Sequence, residues 1–124
     1  MKKSSFVKGL KERTKRFSIE IVLFYPLIEE SIPGSIIGRQ LIRSATSVAA
    51  NYRSACLGRS KREFFAKISI VVEEADETLF WLELLKETKL AEDRKLNYLM
   101  NESLEILKIM SKAKSTMFAV NKQD

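Results

Sequence analysis

The strongest constraint on the fold is a row of apolar residues that recurs every three or four positions through the middle of the chain. The row begins after Ser60-Lys61-Arg62-Glu63, whose residue types and spacing are those of a capping box at a helix start. Its members are Phe64, Ile68, Val71, Ala75, Thr78, Leu82 and Leu85. This repeat predicts a long helix that packs against nearly antiparallel neighbours, as in a coiled coil.

Three further segments carry the same spacing. A first helix is predicted from about Phe6 to the Tyr25-Pro26 region, where proline lacks the N–H that a helix requires. A second is predicted from about Ser35 to Leu57, ending at Gly58 in a left-handed cap, and a fourth after a connection over residues 88–93. Residues 31–35 between the first two helices are predicted to form a loop.

The stripe residues of these three helices are Leu10, Phe17, Ile21, Phe24 and Ile28, then Ile37, Leu41, Ser44, Val48, Asn51 and Ala55, and finally Leu96, Leu99, Ser103, Ile106, Met110, Ala113 and Met117. The sequence therefore predicts an all-α protein folded as an antiparallel up-down-up-down four-helix bundle. We expect one domain over residues 1–124, with residues 1–5 flexible.

The second and third predicted helices differ from ordinary bundle helices in opposite ways. The second has a small, polar seam, so a neighbouring backbone can approach closely, and its buried hydroxyls and amides need hydrogen-bond partners. The third has a second apolar row and the aromatic residues Phe80 and Trp81. Because this surface is broader than one neighbour can cover, the third helix is predicted to be central or shared with another subunit.

Charged residues on these two helices predict contacts between them. Arg43 and Arg53 interrupt the small-residue helix, and Glu74 and Glu77 interrupt the apolar one. Ion pairs, with hydrogen bonds from neighbouring polar residues, would reconcile charge with burial. The set assigned to structural or interface contacts is Arg43, Ser44, Ser47, Asn51, Arg53, Glu74, Glu77 and Trp81.

The formal net charge is +6, and it is distributed unevenly. Residues 1–16 and residues 39–67 each sum to +6, whereas the other segments are acidic. Segregated positive charge suits RNA or DNA as a partner, but a solvated face that only keeps the protein soluble fits the charge equally well. The cations assigned to nucleic-acid contact are Lys8, Lys11, Arg13, Lys15, Arg16, Arg39, Arg59, Lys61 and Arg62.

No catalytic machinery is visible in the sequence. The chain contains no histidine, which removes the commonest general base and metal ligand. Cys56 has cationic neighbours but no visible base, so a structural thiol is expected. The closely spaced Glu73, Glu74 and Glu77 lack the histidines of a di-iron bundle. The sequence therefore predicts neither an enzyme nor a metal site, and it implies no cofactor.

The sequence also carries no signal for export or membrane insertion. A single cysteine excludes an intramolecular disulfide. The basic N-terminus lacks the apolar stretch of a secretory signal, and the longest apolar run contains Glu20 and Pro26. A cytoplasmic protein without a membrane partner is expected.

Two blocks of the sequence resemble a known family. The first is QLIRSATSVAANYR, residues 40–53, followed by Ser60, Phe64 and Lys67; the second comprises EADET, residues 74–78, and WLELL, residues 81–85. The pattern is similar to that of the four-helix bundle proteins known from intervening sequences of bacterial 23S ribosomal RNA genes, a family once misnamed as a ribosomal protein. The two blocks span roughly the middle half of the chain.

The resemblance implies a bacterial four-helix protomer that assembles into a ring-like homopentamer. A related branch comprises the accessory variability proteins of diversity-generating retroelements, which are basic pentamers that bind nucleic acid and associate with a reverse transcriptase. Two functions remain open. One is a non-catalytic oligomer that binds RNA or DNA through a basic surface. The other is a protein-interaction or structural module, marked by an exposed apolar patch that includes Trp81 or Phe118.

Overall fold

Four long helices account for nearly all of the chain in the computed structural model, which describes residues 2–123, with side chains over residues 5–116. The elements are α1 (Lys2–Phe24), a single 3₁₀ turn (Tyr25–Leu27), α2 (Ile32–Ala55), α3 (Lys61–Glu87) and α4 (Asp93–Gln123). No β-strand occurs within residues 2–123, so the all-α, four-helix fold is confirmed. Residues 2–5 lie within α1, their flexibility stays a prediction, and Met1 lies outside the described residues.

Hydrogen bonds between the helices define their order and direction. Ser18 Oγ on α1 donates to the Ala45 carbonyl on α2 at 3.2 Å, and Thr78 Oγ1 on α3 donates to Ser44 Oγ on α2 at 2.9 Å. Since these contacts join the middles of helices that have short connections, successive helices run antiparallel. They also place Ser18, Ser44 and Thr78 at one level along the bundle, which we call the middle level.

The fourth helix lies antiparallel to the first. Arg13 donates from Nε and Nη2 to the two carboxylate oxygens of Glu102, each at 2.8 Å, and Tyr98 Oη donates to Glu20 at 3.0 Å. Residue numbers on α4 therefore fall as those on α1 rise. The beginning of α1, the α2–α3 connection and the later part of α4 consequently meet at one end of the bundle.

The predicted apolar stripes line the core. On α3 every stripe residue from Ile68 to Leu85 is buried, including Thr78, and Ser44 and Ala45 on α2 are fully buried against it. This close approach of α2 and α3 is what their small residues permit. Stripe members at the edges are half-buried rather than buried: Asn51, Phe64 and Ala113. Met117 lies outside the described side chains.

The stretch predicted as a loop over residues 31–35 is instead the start of α2. Ser31 is the N-cap, and its Oγ accepts a hydrogen bond from the Gly34 N–H at 3.0 Å. Pro33 lies in the first helical turn, where the backbone N–H has no partner within the helix in any case. The prediction of a loop was therefore wrong, because this proline and glycine are compatible with a helix start.

The predicted left-handed cap at Gly58 was also wrong. No glycine among the described residues has a positive φ; the left-handed residue is Lys89, with φ 58°, just after α3. The N–H groups of Lys89 and Leu90 donate to the Lys86 and Leu85 carbonyls, both at 3.1 Å, which forms a Schellman motif. The capping box at Ser60 does form, with Ser60 Oγ accepting from the Glu63 N–H at 3.1 Å.

Candidate nucleic-acid interface and the contacts between α2 and α3

Cations from three parts of the sequence come together at one end of the bundle. We define the basic end as residues 5–12, 50–72 and 104–114, which the antiparallel order of the helices brings to the same end. Its carboxylates are Glu12, Glu63 and Glu105. Its cations are Lys8, Lys11, Arg53, Arg59, Lys61, Arg62, Lys67, Lys108, Lys112 and Lys114. The excess of cations makes this end the most positive part of the described surface.

The structure separates the nine cations assigned to nucleic acid. Five of them, Lys8, Lys11, Arg59, Lys61 and Arg62, belong to the basic end, and Lys15 and Arg16 are exposed about one turn farther along α1. The other two, Arg13 and Arg39, lie in different surroundings.

Arg13 and Arg39 are each engaged by a neighbouring side chain. Arg13 is held by Glu102 through two hydrogen bonds, which raise the pKa of its guanidinium. Arg39 lies toward the opposite end beside Tyr25, where the side chains of Ser35 and Arg39 stabilise the phenolate and lower the pKa of the Tyr25 hydroxyl. Neither residue belongs to the basic end.

Arg43 is the centre of a polar network between α2 and α3. Its Nη1 donates to both carboxylate oxygens of Glu74, at 3.2 and 3.3 Å, and its Nη2 pairs with Glu77. Its Nε donates to Gln40 Oε1 at 3.0 Å, and Trp81 Nε1 donates to Glu77 at 3.0 Å. One guanidinium therefore contacts two carboxylates and leaves the network with a formal charge of −1. Among the described residues, no cluster of three potential metal-ligating side chains occurs.

Other polar residues expected in this network are placed elsewhere. Arg53 is exposed and forms no ion pair within residues 5–116, because it lies nearly three turns beyond Arg43 and away from both glutamates. Asn51 Nδ2 donates to Ser47 O and Oγ, each at 2.9 Å, so these two residues interact within α2. Ser44 instead accepts from Thr78 in the buried seam.

The model of the 23S rRNA-intervening sequence protein family matches residues 10–112. The chain belongs to this family. A solved structure with the same fold is a protein of unknown function from the S23 ribosomal protein family of Bacteroides thetaiotaomicron. It is 31% identical, with a TM-score of 0.78, and the match covers 85% of this chain and 97% of that one. No curated protein matches this chain.

The residues that carried the family resemblance face each other across the α2–α3 seam. The first block, residues 40–53, supplies Arg43, Ser44 and the small residues of α2, and the second block supplies Glu74, Glu77 and Thr78. In this member of the 23S rRNA-intervening sequence family, both blocks therefore act together in the packing of two helices.

Glu77 makes the network sensitive to pH. The Trp81 hydrogen bond and the Arg43 ion pair stabilise the carboxylate and lower the pKa of Glu77 below its ordinary value of 4.5. The Glu77 carboxylate therefore binds a proton less readily in the folded protein than in the unfolded chain. Its contribution to the free energy of unfolding is complete above pH 4.5. It is lost as the pH falls through the folded-state pKa.

We expect Glu77→Gln to remove this pH-dependent contribution. At neutral pH the cost should be about 0.5 kcal/mol in the free energy of unfolding, because the group is partly exposed. Between pH 5 and pH 3 the variant should lose less stability than the wild type, as followed by Trp81 fluorescence in urea titrations. Glu83→Gln is the matched control, since Glu83 is exposed on the same helix and lies outside the ion pairs. Equal pH slopes for the wild type and Glu77→Gln would contradict the assignment.

No helix in the described part of the chain is both long and apolar enough to span a bilayer.

Proposed function

We propose that this chain is a non-catalytic, oligomeric protein that binds the phosphate backbone of RNA or DNA through its basic end. The observation that carries the proposal is the convergence of ten cations at one end of the bundle, against three carboxylates. They come from α1, the end of α2, the α2–α3 connection, α3 and α4. Phosphate contacts by lysine and arginine supply sequence-independent affinity. The proposal assigns no catalytic role to any residue.

Oligomerisation strengthens such binding. We propose a ring-like homopentamer, the assembly that the family resemblance implies. If the bundles stand side by side around the ring axis, their basic ends form one rim of the ring. Several weak phosphate contacts from neighbouring copies then add through multivalency. Light scattering tests the assembly directly against the protomer mass of 14.3 kDa.

Two triple variants of equal net charge test whether binding depends on the cations of the basic end or only on the total charge. We expect the triple variant Lys8→Glu, Arg59→Glu, Arg62→Glu to bind labelled RNA and DNA duplexes at least about tenfold more weakly than the wild type, a loss of about 1.4 kcal/mol. The matched control is Lys89→Glu, Arg94→Glu, Lys95→Glu, which reverses three exposed cations at the opposite end. Both variants lower the formal net charge from +6 to zero.

Fluorescence anisotropy at low and physiological salt provides the measurement. Wild-type binding should weaken steeply with salt, and the slope should fall in the basic-end variant because fewer counterions are released. Circular dichroism confirms that both variants are folded. Equal losses in the two variants would refute a localised interface, and no wild-type binding at low salt would refute the proposed function.

A further inference from the structure

Two apolar patches remain exposed on different sides of the bundle. The first, which we call the α1 patch, comprises Ile19, Val22, Leu23 and Leu27, whose exposed fractions are 49%, 48%, 70% and 63%. Ile19, Val22 and Leu23 follow helical spacing along one outward face of α1, and Leu27 lies just beyond them in the 3₁₀ turn. The opposite face of the helix carries Phe17, Ile21 and Phe24 into the core. The α1 patch is therefore not part of the core, and its four side chains stay exposed within residues 5–116.

The second patch lies over the groove between α2 and α3. Ile36 is two helical turns before Arg43, and Trp81 and Leu84 are one and two turns after Glu77, so all three lie on the side of the Arg43 network. Phe80 packs its ring edge-on against Trp81, with ring centroids 4.9 Å apart. Ile36 and Phe80 are 57% and 50% exposed. We call these four residues the α2–α3 patch.

The two patches lie at the same height along the bundle. Ser18 on α1 and Thr78 on α3 both lie at the middle level through their contacts with α2, and these two helices run in the same direction. The α1 patch begins one residue beyond Ser18, and the aromatic pair of the α2–α3 patch begins two residues beyond Thr78. Two copies standing side by side at equal height would therefore bring different patches together.

The charges beside the patches are complementary at matching heights. Lys15 and Arg16 are exposed on α1 just before the α1 patch, three and two residues before the middle level, respectively. Asp76 and Glu73 are exposed on α3 two and five residues before the same level. An α1 patch placed against an α2–α3 patch would thus set two cations near two anions, whereas two α1 patches would set like charges together. This favours a contact between unlike patches.

From these observations we propose that the α1 patch of one copy docks onto the α2–α3 patch of the next copy. Such a contact is heterologous: each added copy still presents one free patch of each kind, so assembly proceeds until a ring closes. The inference rests on the proposed oligomer and assigns the two surfaces that build it. It places Leu23 and Phe80 in the same interface, contributed by neighbouring copies.

The test uses two variants that each destroy one patch. Leu23→Glu removes the α1 patch, and Phe80→Glu removes the α2–α3 patch; both positions are half-exposed or more, so the fold should be retained. Each variant alone should give the protomer mass of 14.3 kDa by light scattering. An equimolar mixture should give a dimer of twice that mass, because the intact α1 patch of Phe80→Glu can still dock onto the intact α2–α3 patch of Leu23→Glu.

Controls distinguish this inference from the proposed function. Leu57→Glu, at a residue 77% exposed and outside both patches, should keep the wild-type mass. The inference is overturned if either patch variant keeps the wild-type mass, if the mixture stays monomeric across a concentration series, or if the wild type is itself monomeric. Nucleic-acid binding is measured separately on the wild-type protein at low salt. A failure there counts against the proposed function and not against the docking surfaces.

Discussion

Replacing Leu82 by alanine is expected to lower the free energy of unfolding by about 2–5 kcal/mol. Leu82 is completely buried on α3, the helix that packs against both α2 and α4. Truncation removes the transfer free energy of three carbon atoms and leaves a cavity that two packed helices cannot readily close. No other substitution considered for this protein should destabilise it more.

Urea titration followed by circular dichroism measures this loss. Leu57→Ala is the matched control, because the same atoms are removed from a side chain that is 77% exposed. The control should change the free energy of unfolding by less than about 0.5 kcal/mol. All samples need one protein concentration, since assembly stabilises the folded chain by mass action. Similar losses for Leu82→Ala and Leu57→Ala would contradict the assignment of the core.

The second large effect is expected from Gly34→Ala, at the start of α2. A Cβ at this position would lie 2.3 Å from the Glu29 carbonyl oxygen and 3.0 Å from Ser31 Oγ, the N-cap acceptor. Because the nearest atom belongs to the backbone, the connection between α1 and α2 must shift to admit a methyl group. We expect a loss of about 1–3 kcal/mol in the free energy of unfolding.

The same substitution at Gly9 should change the free energy of unfolding in the opposite direction. Gly9 lies inside α1, and no atom other than its own helix's backbone lies within 4 Å of the position of an added Cβ. Gly9→Ala should therefore stabilise the protein by about 0.5–1 kcal/mol through helix propensity. Thermal unfolding of the two variants at equal concentration tests the pair. A stabilising Gly34→Ala would show that the connection before α2 is not closely packed.

The sequence predicted those helix features that depend on residues close together in the chain. The stripes of α1, α3 and α4 were correct over most of their length because core burial imposes the 3.6-residue period directly on the residues. The capping box at Ser60 was correct because its two partners are three residues apart. The start of α2 was misread, because proline and glycine serve both loops and first helical turns.

The candidate interface was only partly accessible from the sequence. The two basic segments were visible as charge, and ion pairs of Arg43 and Arg53 with Glu74 and Glu77 were predicted; within residues 5–116 those of Arg43 form and those of Arg53 do not. The pairing of Arg13 with Glu102, 89 residues away, left no local signal. The contribution of Lys108, Lys112 and Lys114 to the basic end was also missed, since these cations lie in a segment, residues 68–124, whose net charge is negative.

By itself, then, the sequence determined the number of helices, their inner faces and the family, because periodic apolar residues and closely spaced motifs are encoded along the chain. Only the tertiary structure decided which cations stand together, which are engaged by carboxylates, and which apolar residues stay exposed. The physical reason is that charge neighbours and residual exposure depend on distances across the bundle. Those distances are fixed when antiparallel helices pack at one particular height, as Ser18 and Thr78 do against α2.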